Sequence, residues 1–418
     1  MAPLVLPGRG MSFATEPPEA RMSVSPIHGR VSLMLVCAFF TLAACDRRNK
    51  ATSASAQTEL ATTAAPELRA VRLSTKDAPT NEDARDPLKA ARAEMRKLLH
   101  EYDALGARSI AGLSVEEARK QPTIDDAMYA LMRKESKDPD PIPMARVEDR
   151  RIPGPVLPIP IRIYTPKADP KERGPRGVVL YFHGGGFVLG SVESYDRSAR
   201  IIAKNTGALV VSAGYRRAPE HKFPAAHDDA FAAYEWLVMN AASIDADPKR
   251  IALAGEGSGA NLAANVAIMA RDRKGTGLQQ PVHQLLIYPM TMTNHASWSA
   301  REWANAKPLD TASLKWLEEK TLRSARDKDD PRRSLLDAPV KGVPSATILL
   351  AEIDPLWSEG EAFYRHLGAE GVKAERRTYN GLTHEFFGLG VYVYDARKAQ
   401  EWAGERLQEA LARSAKPR

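Results

Sequence analysis

The sequence predicts an α/β protein: a mostly parallel central sheet flanked by helices, with a helical cap. Three observations predict it. Near-continuous apolar segments recur along the chain, among them Gly177–Phe182 (Gly-Val-Val-Leu-Tyr-Phe) and Ala208–Ala213 (Ala-Leu-Val-Val-Ser-Ala). Strands covered on both faces read this way, as in parallel sheets. Helical patterns separate these segments, the alternation expected of a layered α/β domain. Glycine-rich turns follow two of them directly, at His183–Phe187 and Gly255–Gly259, and such turns let backbone approach a ligand closely.

The elements follow in order. Residues 31–44 form an apolar run too short to span a bilayer as a stable helix. Arg21, His28 and Arg30 precede it and small residues close it, the pattern of a secretory leader. Its end, Leu42-Ala43-Ala44-Cys45, resembles a bacterial lipobox and implies cleavage before a lipidated Cys45; ordinary leader cleavage or a retained short anchor is the alternative. Residues 46–85 are rich in Ala, Thr, Ser and charge without an apolar period, so they read as a disordered tether.

Residues 86–418 read as the folded domain, with 86–145 and 291–340 contributing the cap. Leu88, Ala91, Met95, Leu98 and Leu99 recur at helical spacing, and Ser114–Glu117 has the form of a capping box. Two or three short helices are expected over 86–135, ended by the proline-rich stretch Asp138–Pro143. Pro158–Tyr164 reads as an edge strand. Buried strands are expected at Gly177–Phe182, Ala208–Ala213, Arg250–Ala254, His283–Tyr288, Ala346–Ala351 and Ala374–Tyr379, and helices at Ala225–Asn240 and Ala260–Arg271.

Composition narrows the function classes. The chain has 59 basic and 52 acidic residues, a formal charge of +7, spread without a Lys/Arg run or aromatic interleaving. A nucleic-acid footprint would be clustered, so none is expected. Both cysteines, Cys37 and Cys45, lie near the N-terminus, leaving none for a disulfide in the folded domain. Gly255-x-Gly257-x-x-Ala260 formally fits a dinucleotide fingerprint, but the next strand ends without the acid that would hold a ribose. His221, His227, Asp228 and Asp229 lie in one segment without a metal-ligand motif. No cofactor and no metal are therefore expected.

The chemistry-bearing residues come in sequence order. His183-Gly184-Gly185-Gly186-Phe187 follows a strand, and N–H groups there can hold a developing oxyanion. Gly255-Glu256-Gly257-Ser258-Gly259 follows another strand. A nucleophile elbow, G-x-S-x-G, needs small residues two before and two after its centre. Centred on Gly257, the flanks are Gly255 and Gly259; centred on Ser258, they are Glu256 and Ala260.

Together with Tyr215–Glu220 (Tyr-Arg-Arg-Ala-Pro-Glu), Phe223–Ala226, Asp354-Pro355-Leu356 and His384, these segments resemble the bacterial hormone-sensitive-lipase-like esterases, a branch of the α/β-hydrolase fold. The resemblance covers roughly residues 86–415. It implies a Ser–His–Asp triad, an oxyanion loop, a helical cap and short-chain acyl esters as substrates. Carried over by position, it makes His384 the general base, Asp354 the acid that orients it, and Gly184 and Gly185 the oxyanion donors. Glu385 stands where the family usually has glycine, a carboxylate able to raise the imidazole pKa.

The nucleophile position is Gly257, with serine one residue late. Ser258 is then either a nucleophile out of register or a structural or binding residue at the start of a helix. Two functions follow: a hydrolase of small esters, or a relative that binds a small ligand without hydrolysing it, as plant gibberellin receptors do. A degraded gene copy is a third. The leader and Cys45 place the protein at the bacterial cell envelope, held by its lipid.

Overall fold

The computed structural model describes residues 85–137, 140–167 and 174–413. The leader, Cys45 and the tether lie outside them, except for Arg85, whose N–H donates to Glu302 O at 2.9 Å.

Among the described residues eight strands make one sheet. They are β1 (Arg146–Ile152), β2 (Ile159–Thr165), β3 (Arg176–Phe182), β4 (Leu209–Ala213), β5 (Ala246–Glu256), β6 (His283–Ile287), β7 (Ala346–Ile353) and β8 (Ala374–Thr383). Their order across the sheet is β1-β2-β4-β3-β5-β6-β7-β8. β1 pairs antiparallel with β2 and β2 with β4, whereas the pairs from β4 to β8 are parallel.

β2 is therefore not the edge strand expected of Pro158–Tyr164. β1 covers it, with Val147 opposite Tyr164 and Asp149 opposite Arg162. β1 escapes a hydropathy reading because its sequence, Arg-Val-Glu-Asp-Arg-Arg-Ile, is mostly charged. An edge strand tolerates this, since charge there blocks pairing with other chains. Cross-strand charge adds to the pairing: Arg162 Nε lies 2.6 Å from Asp149 Oδ1.

Side chains alternate between two cores, as a strand's two-residue period requires. Val178, Leu180 and Phe182 face one, with residues of α6 (Ala225–Asn240), α7 (Ser258–Asp272) and α10 (Trp357–Ala369). Val179 and Tyr181 face the other, with residues of α2 (Ala93–Ala104), α4 (Ile124–Lys134), α5 (Asp196–Thr206) and α11 (Tyr394–Arg413).

The cap segments meet over the sheet. The first contributes α1 (Pro87–Ala90), α2, α3 (Val115–Arg119) and α4; the insertion contributes α8 (Trp298–Glu302) and α9 (Thr311–Thr321). Ser114 caps α3 through the reciprocal bonds its sequence predicts, with Glu117 Oε2 accepting the Ser114 N–H at 2.8 Å. Trp316 Nε1–H donates to Leu113 O at 3.1 Å, tying α9 to the loop before α3.

Candidate active site

The turn between β5 and α7 is held in one register by packing. A Cβ on Gly255 would stand 2.2 Å from Gly259 O, and one on Gly259 would stand 2.1 Å from Phe182 O. Both obstacles are backbone and cannot yield. The residue these two glycines flank is Gly257, at φ +53° and ψ −113°, a conformation that strains any residue with a side chain. A Cβ built there points at His384, 3.5 Å from Nε2 and 3.7 Å from Cε1, and chain neighbours aside no other described atom lies within 4 Å.

Ser258 faces elsewhere, which corrects the expectation that it attacks. It opens α7, its side chain buried, and its Oγ accepts the Phe187 N–H at 3.3 Å. Among the described residues no hydrogen bond joins it to His384. Re-registering the turn would also have to move Glu256. That side chain is 2 % exposed and locked behind the turn, accepting from Tyr181 Oη at 2.5 Å and from Tyr288 Oη. Burial raises the pKa of the Glu256 carboxyl.

The acid and imidazole come together across adjacent strands. Asp354 follows β7 and His384 follows β8, and parallel pairing sets these ends side by side, Ile353 opposite Thr383. His384 Nδ1 lies 2.7 Å from Asp354 Oδ2, and the other oxygen, Oδ1, accepts the Leu356 N–H at 2.8 Å. Burial alone would lower the imidazole pKa. The charge and hydrogen bond of Asp354 outweigh it, Glu385 and Glu256 add to them, and the net shift is upward.

Glu385 sits at φ +62°, the left-handed region, which explains why glycine suits this place. Tyr195 Oη–H donates to its Oε1 at 2.9 Å. Asp125 lines the same pocket. Burial, partly offset by Arg197, pushes its carboxyl up to about 7. No sequence signal marked Tyr195 or Asp125, because they reach the pocket from separate elements.

The glycine loop needs one correction. Gly185 and Gly186 line the pocket, and Gly184 does not. A Cβ on Gly184 would stand 2.5 Å from Tyr195 Oη, so this glycine is packed against a tyrosine. The N–H groups of Gly185, Gly186 and Ser258 donate to no other described residue. The Tyr215–Glu220 segment braces the loop: Tyr215 Oη–H reaches His183 O at 3.0 Å and Gly184 O at 3.2 Å. Arg216 beside it forks onto Asp229 of α6, with Nη2 to Oδ1 at 2.8 Å.

In the segment that holds His221, His227, Asp228 and Asp229, the Asp229 carboxylate holds Arg216. His227 Nε2 pairs with Asn261 Oδ1 at 3.0 Å, and burial lowers its imidazole pKa to about 3. No cluster of three metal-binding side chains occurs among the described residues.

The pocket over these groups has a volume of about 270 Å³, just under the range usual for drug-sized ligands. A parallel sheet that brings acid and imidazole to a strained strand-to-helix turn, beside a glycine loop with unpartnered N–H groups, has the architecture of an α/β hydrolase.

Sequence comparison agrees. Residues 179–388 match the alpha/beta hydrolase fold family. An ethyl acetate hydrolase of Pseudomonas putida is 34% identical over 72% of this chain and 91% of its own length. A carboxylesterase of Mycobacterium tuberculosis is 37% identical over 68% of this chain and 88% of its own. An esterase of Pyrobaculum calidifontis superposes with a TM-score of 0.66 at 34% identity, covering 74% of this chain and 97% of its own. The chain belongs to this family, in its hormone-sensitive-lipase-like esterase branch.

Proposed function

We propose that the protein acts on small, short-chain carboxylic esters, slowly in the wild type because position 257 carries no hydroxyl. The aim of Gly257 at His384 Nε2 carries this reading. In it His384 is the base, Asp354 fixes its tautomer, and the N–H groups of Gly185, Gly186 and Ser258 hold the oxyanion. The ethyl acetate hydrolase among the relatives supports short acyl chains. The test is hydrolysis of p-nitrophenyl acetate and butyrate by the wild type and Gly257→Ser. A Gly257→Ser chain that cleaves neither ester sinks the reading. The missing hydroxyl also favours a second reading, a pocket that binds a small ester without turning it over. Saturable binding of ethyl butyrate, with wild-type hydrolysis at the protein-free rate, distinguishes it.

The base acts only when neutral, so kcat/KM rises with pH through its pKa. That pKa is expected above the ordinary 6.5, because the shift on His384 is upward. Glu385→Gln removes one of the charges that raise it and should move the rise to lower pH. A midpoint that stays in place would show that Glu385 does not act through the imidazole.

The leader and Cys45 support a lipid-held place at the bacterial cell envelope. Radiolabelled palmitate should enter the wild type and not Cys45→Ser. Equal labelling of both would remove the anchor from the proposal.

A further inference from the structure

We propose that this pocket passes the acyl group of an ester straight to a small free nucleophile, water or hydroxylamine, without an acyl-protein intermediate. The inference rests on the ester reading above and adds how the bond is broken.

Three observations carry it. His384 is 8 % exposed, and its Nε2 has no hydrogen-bond partner among the described residues, while Nδ1 is taken by Asp354. Nε2 is thus an unpartnered acceptor on a residue that lines the pocket. A side chain at 257 would enter the space beside it: among the described residues, chain neighbours aside, only imidazole atoms lie within 4 Å of a Cβ there. The turn keeps its strained form without any side chain, pinned by Gly257 N–H to Ile287 O at 3.0 Å and Met290 N–H to Gly257 O at 3.1 Å. The space beside His384 Nε2 that a serine side chain would enter therefore remains, in the pocket that Gly185 and Ser258 also line.

The step balances without any redox change. The oxygen of water, or the nitrogen of hydroxylamine, bonds to the ester carbonyl carbon as its proton passes to Nε2. The carbonyl oxygen becomes an oxyanion facing the free N–H groups. Collapse breaks the bond to the alkoxy oxygen, which takes the proton back from Nε2. The products are an alcohol and either a carboxylic acid or a hydroxamic acid.

The full-length chain is tested with p-nitrophenyl butyrate, with and without hydroxylamine, each rate corrected for the protein-free reaction. Wild-type release of p-nitrophenol should rise in proportion to hydroxylamine and yield butyrohydroxamate. His384→Asn should lower the wild-type rate about a hundredfold, the scale of general-base catalysis. Gly257→Ala, whose methyl enters that space beside Nε2 without a clash, should cut the hydroxylamine response at least about tenfold by crowding out the nucleophile. Intact-mass spectra of acid-quenched single turnovers should find no butyryl group on the wild type and one on Gly257→Ser. A butyryl group on Ser258 or His384 of the wild type overturns the inference. An active Gly257→Ser beside a wild type at the protein-free rate overturns it alone; inactivity of both overturns the ester reading with it.

Discussion

Gly257→Ser is expected to hydrolyse p-nitrophenyl butyrate at least about a hundredfold faster than the wild type. The Cα–Cβ direction at 257 already ends 3.5 Å from His384 Nε2, so a hydroxyl there falls within bonding reach of the ring. Loss of the nucleophile from a working triad costs on the order of 10⁶ in turnover. A hundredfold gain is therefore a floor, set low because the pocket also carries Glu385 in place of a glycine. The gain has a structural cost. A serine at φ +53° and ψ −113° takes on about 1–3 kcal/mol of strain that glycine avoids, so Gly257→Ser should melt earlier than the wild type. Ser258→Ala in the same background should cost less than about tenfold, since that hydroxyl bonds the Phe187 N–H and not the imidazole. Loss of the regained activity on Ser258→Ala, or no gain at all, would mean that the attacking group is not the one at 257.

Asp354→Asn, made in Gly257→Ser, should lower kcat about 10⁴-fold, the scale seen when a triad acid becomes an amide. Asp354 Oδ2 accepts from Nδ1–H at 2.7 Å, which leaves Nε2 unprotonated and able to accept. An amide NH₂ in that place donates to Nδ1 instead and puts the ring proton on Nε2, where it blocks the base. The backbone bond from Leu356 N–H to Asp354 Oδ1 survives in asparagine, so the fold should hold.

The stability change carries its own sign. The folded-state pKa of His384 is raised, so the ion pair stabilises fully below the unfolded value near 6.5 and is lost as pH rises through the folded value. The stability deficit of Asp354→Asn should accordingly be largest in mild acid and shrink toward alkaline pH. Urea melts across that range measure it, and a deficit that grows with pH would contradict the pairing.

Much of the sheet was legible because parallel strands bury both faces and leave apolar runs. Residues 177–182 and 208–213 fall on β3 and β4 to within a residue, and Ala225–Asn240 is α6. β5 proved longer than Arg250–Ala254: it starts at Ala246, in a polar stretch that pairs with β3 across a bulge at Arg176–Val178. β1 was invisible for a related reason, since an exposed edge needs little hydrophobicity. The helix after the turn begins at Ser258, two residues before the apolar pattern does, because the glycines there give no period to read.

The sequence alone determined the fold class, the separate motifs and the register problem at the turn, since each is a matter of spacing along the chain. Only the tertiary structure decided direction: that position 257 faces the imidazole, that Ser258 turns to the glycine loop, and that Gly186 rather than Gly184 borders the pocket. Direction depends on backbone angles and on neighbours brought from distant strands. The carbonyl of Phe182, at the end of β3, which leaves no room for a side chain on Gly259, is the neighbour in question, and linear spacing holds no record of it.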